Sequence, residues 1–138
     1  MSASLASVGA ITLFVGDSQQ SKSFYARAFD LSPIYEDENS VVFKFDNTII
    51  NLLNDSEAGE LIAPAAVAAA DAGARFQFSI WVDDTEAVCR DLAARGVELL
   101  NGPIDRPWGM RTATFADPDG HIWEIAQQLP EGDRKSVV

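Results

Sequence analysis

Thr12-Leu13-Phe14-Val15-Gly16-Asp17 and Ser79-Ile80-Trp81-Val82-Asp83-Asp84 decide the fold, because the second stretch repeats the first at an offset of 67 residues. Each is a short β-prone run ending in an aspartate able to cap a helix. A stretch of helical periodicity follows each. Ser18 to Phe29 sets Phe24, Tyr25, Ala28 and Phe29 on one side, and Thr85 to Arg95 does the same with Ala87, Val88, Cys89 and Leu92. Gly96 is placed to end the second helix in a left-handed conformation. A repeat of this kind predicts two copies of one structural unit.

Strand-like segments separated by turns come after each helix. The first half gives Ile34-Tyr35, Val41 to Phe45 and Thr48 to Leu53, with Asp46-Asn47 as a two-residue hairpin signal. The second gives Glu98-Leu99-Leu100, Thr112 to Phe115 and His121 to Gln127, with Asp117-Pro118-Asp119-Gly120 as a turn. Both halves read βαβββ, an α+β class. The repeat continues across the halves if extra residues are allowed in the second, and it then matches Phe45 with Phe115 and Asn51 with Glu124. Module one is expected over 8–54 and module two over 76–128. The alanine-rich connector 55–75 between them is expected to hold a short helix from Pro64 to Asp71. A polar tail, 129–138, is expected to fray.

The chain has 138 residues, 47% of them hydrophobic and 22% charged, the balance of a globular protein of one domain or two small halves. No apolar run approaches the roughly 20 residues that cross a bilayer, so no membrane partner is expected. Met1 to Ser7 lacks a basic leader segment, and a cytoplasmic location is the expectation. The single Cys89 cannot form an internal disulfide and is expected to be a buried structural thiol. A formal charge of −11 without a basic run argues against nucleic acid. The same field attracts cationic small molecules or simply maintains solubility.

The repeated βαβββ plan, the aspartate ending its first strand, Ser21-x-x-Phe24-Tyr25, and Asp117-Pro118-Asp119-Gly120-x-x-x-Glu124 together resemble the vicinal-oxygen-chelate superfamily. This is the family of glyoxalase I, the bleomycin-resistance proteins and the extradiol dioxygenases, and the resemblance spans about residues 8 to 128. It implies two modules forming a curled mixed sheet that makes a cup around a small molecule, with helices outside. It also implies a homodimer in which half-cups of two chains complete each pocket.

In similar metalloenzymes each module supplies one metal ligand from its first strand and one from its last. The resemblance carries these positions onto Ala10, Asn51, Gln77 and Glu124. Ala10 has no donor, and Asn51 and Gln77 offer neutral amide oxygens that suit transition metals poorly. One carboxylate remains, and no metal or other cofactor is expected. The only imidazole, His121, is three residues from Glu124 and so points to the other face of its strand. It is expected to be structural or solvent-facing.

Alternation assigns the ligand face to Thr12 and Phe14 beside Ala10, to Asn51 and Leu53, to Ser79 and Trp81 beside Gln77, and to Glu124 between Ile122 and Ala126. Ile11, Leu13, Phe78, Ile80 and Val82 then face the helices. Polar groups flanked by aromatic walls suit an amphipathic organic ligand. Core filling is the competing reading for Phe14 and Trp81. Within Arg106-Pro107-Trp108-Gly109-Met110-Arg111, which resembles a segment of bleomycin-resistance-like proteins, Trp108 can stack on a planar ligand. Arg111 can pair with a ligand carboxylate, with Glu124, or in a structural salt bridge. Glu124 can be a general base, a counter-charge for a cation, or a carboxylate neutralised by Arg111.

These readings lead to a metal-independent binding protein that sequesters a cationic or aromatic drug-like metabolite, as antibiotic-resistance proteins of this family do. The alternative is an enzyme, a glyoxalase-like lyase, isomerase or dioxygenase, using Glu124 as base or ligand. A ligand-free interaction module leaves the polar positions of the cup without a purpose.

Overall fold

The computed structural model describes residues 5–130. Its order is β1 (Ala10–Val15), α1 (Ser18–Phe29), β2 (Tyr35–Glu36), β3 (Ser40–Lys44), β4 (Ile49–Asn54), α2 (Asp55–Ile62), β5 (Gln77–Trp81), α3 (Thr85–Ala94), β6 (Leu99–Asp105), β7 (Met110–Ala116) and β8 (Ile122–Gln128). The class is α+β. Two four-stranded mixed sheets form, with strand orders β1-β4-β3-β2 and β5-β8-β7-β6. In each, the first strand runs parallel to the last and the other neighbours are antiparallel. Both modules are therefore βαβββ, and the boundary between compact units falls between Ala72 and Gly73.

The helices begin in the same way in both modules. Asp17 Oδ1 accepts the N–H groups of Gln19 and Gln20 at 2.9 and 3.3 Å, and Asp84 Oδ1 accepts that of Ala87 at 3.1 Å. A side-chain amide on the last strand takes one more donor. Asn54 Oδ1 accepts from Ser18 N at 2.8 Å, and Gln127 Oε1 accepts from Thr85 N at 3.0 Å. These bonds satisfy donors that a helix leaves unpaired at its start, and they tie each helix to its own sheet. Gly96, at φ 79°, ends α3 as expected. Its N–H reaches Ala93 O at 3.0 Å, and that of Val97 reaches Leu92 O at 2.9 Å, with Leu92 and Val97 both buried. Asp30, at φ 53°, takes the left-handed position after α1.

Burial follows strand alternation. In module one Leu13, Val15, Val41, Phe43, Ile50 and Leu52 are buried, with Phe24, Tyr25 and Ala28 of α1. Tyr25 stacks on Phe29 at 5.7 Å and lies 6.2 Å from Phe43. In module two Cys89 and Leu92 of α3 are buried, as are Ala113, Phe115, Trp123 and Ile125 of the sheet. Phe78 stacks on Trp123 at 4.2 Å. Full burial of one such aromatic side chain contributes about 2–3 kcal/mol. Cys89 is the expected buried thiol, its pKa raised by burial and then by the charge of Glu86.

Three expectations are corrected. The helix of the connector is Asp55–Ile62, before Pro64 rather than after it. Asp55 and Glu57 favour a start directly after β4, and the residue before a proline resists helical geometry, so Ala63 ends the helix. Phe43, not Phe45, corresponds to Phe115: Val42 pairs with Asn51 and Phe43 with Ile50, while Thr114 pairs with Glu124 and Phe115 with Trp123. Phe45 instead opens the Asp46-Asn47 turn, where its N–H donates to Thr48 O at 2.9 Å. Finally, β6 runs five residues beyond the expected Glu98–Leu100, past irregularities in its pairing with β7 on either side of Asn101. Gly102, at φ 96°, lies within the second irregularity.

The expected tail lies outside the described residues from 131 onward. Leu129, at its start, is buried and donates its N–H to Gly109 O at 2.9 Å. Among the described residues no helix is long and apolar enough to cross a membrane.

Candidate functional site

In each module the expected residues of the first and last strands lie on the sheet face turned away from its first helix. In module one the parallel pairing of β1 and β4 sets Thr12 beside Asn51 and Phe14 beside Leu53. Asn51 Nδ2 points to Thr12 Oγ1 at 3.5 Å, and Asn51 Oδ1 is buried with no hydrogen-bond partner. Ala10 pairs with Ile49 on the same face.

In module two β5 and β8 set Gln77 beside Ile122, Ser79 beside Glu124, and Trp81 beside Ala126. Ser79 Oγ donates to Glu124 Oε1 at 2.8 Å. Ser79–Glu124 and Thr12–Asn51 are thus the same position in the two copies of the repeat, as the match of Asn51 with Glu124 predicts. Trp81 is 82% exposed, so it is not core. It forms one wall of an open pocket of about 350 Å³ whose other lining residues are Val82, Asp83, Met110, Ala126 and Gln128. Ser79 and Glu124 lie one side-chain repeat along β5 and β8 from the pocket residues Trp81 and Ala126, on the same sheet face.

The side chains at the four positions that the resemblance matches to metal ligands do not make a transition-metal donor set. They are those of an alanine, two neutral amides and one carboxylate, and that carboxylate already accepts the Ser79 hydroxyl. Among the described residues, no three His, Cys, Asp or Glu side chains cluster as a metal could require.

Arg111 is separated from Glu124. It points to the α3 side of the sheet, where its guanidinium bonds Asp105 at 2.6 and 3.2 Å and lies 3.5 Å from Glu86. Its odd position on β7 is the reason: Thr112 and Thr114, not Arg111, share the face of Glu124. Trp108 occupies the tip of the β6–β7 turn, exposed and two residues before the pocket residue Met110.

In module two Arg106 is a basic residue on the sheet face of Glu124, and the sequence analysis assigned it no role. Its Nε donates to Thr112 Oγ1 at 3.0 Å, and its guanidinium carbon lies 6.0 Å from the Trp108 ring centroid. The available signal was parity. A hairpin turn that lets Arg106 fold back over Thr112 directs it toward the face of even-numbered β7 residues, and Arg111 away from it.

His121 is structural. Its Nδ1 lies 2.8 Å from Asp117 Oδ2, and Asp117 Oδ1 accepts the N–H groups of Asp119 and His121, each at 2.9 Å. The buried Asp117 carboxylate therefore organises the whole Asp-Pro-Asp-Gly turn. Burial opposes charge on the His121 imidazole, but the hydrogen bond and charge of Asp117, with the charge of Asp119, outweigh it and raise the pKa.

Comparison with known proteins agrees with the repeat. A family model described as the glyoxalase/bleomycin resistance protein/dioxygenase superfamily matches residues 7–125. An uncharacterised protein of Bacillus subtilis (strain 168), YraH, is 34% identical over 124 residues, covering 86% of this chain and 96% of that protein. The crystal structure of a glyoxalase/bleomycin resistance protein/dioxygenase from Nocardioides has a TM-score of 0.83 at 22% identity, over 99% of this chain and 92% of that one. That of a glyoxalase-related enzyme from Fulvimarina pelagi has a TM-score of 0.77 at 27% identity, over 97% and 98%. With a family match across nearly the whole chain and the repeat present in its sheets, the protein belongs to the glyoxalase/bleomycin resistance protein/dioxygenase superfamily.

Proposed function

We propose that this chain is a metal-independent, cytoplasmic small-molecule-binding protein that sequesters a cationic or aromatic metabolite, as a drug-resistance protein of this superfamily would. The observation that carries the reading is the Ser79–Glu124 pair beside the Trp81 pocket. Glu124 has no cation within ion-pair distance among the described residues, so its charge is available to a ligand. Trp81 offers a flat apolar wall, and Met110 a polarisable and adaptable one. Thr12, Phe14, Asn51 and Leu53 are proposed as the corresponding contacts of module one. Asn51 Oδ1, without a partner, suits a ligand N–H or O–H donor. Gln77 and Trp108 are proposed as peripheral contacts. We include a homodimer in the proposal, because Trp81, Leu100, Ile104 and Trp108 leave apolar surface exposed.

A thermal-shift series with aromatic ammonium compounds and matched neutral compounds tests the reading. Stabilisation by the ammonium members that is weakened in Glu124→Gln supports it, and no stabilisation by any member contradicts it. Light scattering at micromolar concentration tests the dimer, and a monomer contradicts that part.

A second reading is favoured by the likeness to a glyoxalase-related enzyme from Fulvimarina pelagi, which is 27% identical. Here Glu124 acts as general base in a lyase, isomerase or dioxygenase reaction. Turnover that disappears in Glu124→Gln while ligand binding persists identifies this case.

A further inference from the structure

We infer that Arg106 is a specificity residue that recognises an anionic group, a carboxylate or phosphate, on the ligand of module two. The inference rests on the binding reading above and adds a second, oppositely charged anchor to Glu124.

The geometry of Arg106 is that of a prepared cation. Its backbone is held on both sides, with its N–H donating to Met110 O at 2.7 Å and its carbonyl accepting from Gly109 N at 3.0 Å. Its Nε is occupied by Thr112 Oγ1 at 3.0 Å, which fixes the plane of the guanidinium against a side chain only 2% exposed. Trp108 lies against it, 6.0 Å from Cζ to the ring centroid. Among the described residues no carboxylate lies within ion-pair distance of Arg106. In a chain of net charge −11 this stands out. Arg111, at the other end of the same turn, has both Asp105 and Glu86 as partners.

The location supplies the rest. Thr112 pairs with Ala126, which pairs in turn with Trp81, and Met110 is two residues along β7. All three of those neighbours line the pocket. An oriented guanidinium whose terminal N–H groups lack an anion, at the edge of a tryptophan-walled pocket, matches an organic anion with an apolar, planar body. Glu124 and Asp83 on the same side favour a cationic or donor group elsewhere on that body. A zwitterionic aromatic molecule satisfies both ends.

The test is calorimetric titration of the full-length protein at low salt with four naphthalenes: 2-naphthoate, 2-naphthyl phosphate, 2-naphthamide and 2-naphthylmethylammonium. Each is titrated into wild type, Arg106→Gln, Arg106→Lys and Arg90→Gln, the last removing an exposed cation of α3. Circular dichroism and melting confirm that each variant folds. At least one anion is expected to bind wild type about tenfold tighter than the amide, the size of a charge-assisted hydrogen bond. That preference should vanish in Arg106→Gln, shrink in Arg106→Lys and persist in Arg90→Gln. The ratio of naphthoate to naphthyl phosphate affinities distinguishes the two anionic groups. Binding of the amide or ammonium compound without anion preference, or a preference surviving in Arg106→Gln, overturns the inference and leaves the binding reading standing. Failure of all four compounds to bind wild type overturns both.

Discussion

Ser79 Oγ donates a hydrogen bond to Glu124 Oε1 at 2.8 Å, at the repeat position where Thr12 meets Asn51 in the other module. A hydroxyl on the first strand and a polar side chain on the last recur, but only the second copy carries a charge. Both last strands thus carry a hydrogen-bonding side chain at this position, and the charge there comes from Glu124.

Glu124→Gln keeps the shape and an oxygen to accept the Ser79 hydroxyl while removing the charge. Unfolding free energy is expected to change by less than about 1 kcal/mol, because a neutral bond replaces a charge-assisted one at a half-exposed position. Affinity for an aromatic ammonium compound is expected to fall about tenfold. Urea denaturation and calorimetry measure the two effects separately, and a large loss of stability would assign Glu124 to the core instead.

Gly102→Ala is expected to destabilise module two strongly. At φ 96° the backbone is strained for alanine, and the added Cβ would lie 2.5 Å from Thr112 O and 2.6 Å from Ala113 Cα. Neither backbone atom can swing aside, so a loss of about 2–4 kcal/mol follows from strain and overpacking together. A shift of the urea midpoint at constant slope measures it.

Asp17→Ala and Asp84→Ala each remove a helix cap and are expected to cost about 1 kcal/mol. Asp17 is expected to cost the more, since its Oδ1 accepts two backbone N–H groups against one for Asp84. Equal losses in chemical denaturation would contradict that ordering.

His121 makes stability depend on pH in a stated direction. Its pKa in the folded protein is raised above the ordinary value of 6.5, so the charged imidazole is bound more favourably in the folded state. The resulting stability is fully present below the unfolded pKa and is lost as pH rises through the folded one. The stability difference between wild type and His121→Gln is therefore expected to be larger at pH 5.5 than at pH 8.5. Denaturation at the two pH values checks it, and a difference that grows with pH would reverse the assignment to the Asp117 pair.

Much of this arrangement was legible in the sequence because repeat and alternation are both periodic. The offset of 67 residues relates Thr12 to Ser79 and Asp17 to Asp84, and parity alone puts Ser79 and Glu124 on one face. The errors fall where a local break in regularity decides. The pairing irregularities around Asn101 lengthen β6 without a strong strand pattern. The turn at Pro107 and Trp108 brings Arg106 over Thr112 and leaves Arg111 on the helix side, so of the three readings open for Arg111 the structural salt bridge is the one observed. Pro64 was read as a helix start when its effect on Ala63 made it a stop.

Metal-independent ligand binding through Glu124 is what we propose for this chain. Its most direct test is calorimetric titration of chelator-treated protein with an aromatic ammonium compound, repeated after adding zinc, nickel, manganese or ferrous iron. Saturable binding is expected before any metal is added, with the same affinity afterwards. Binding that appears only with one of these metals, together with stoichiometric uptake of it, would overturn metal-independent binding.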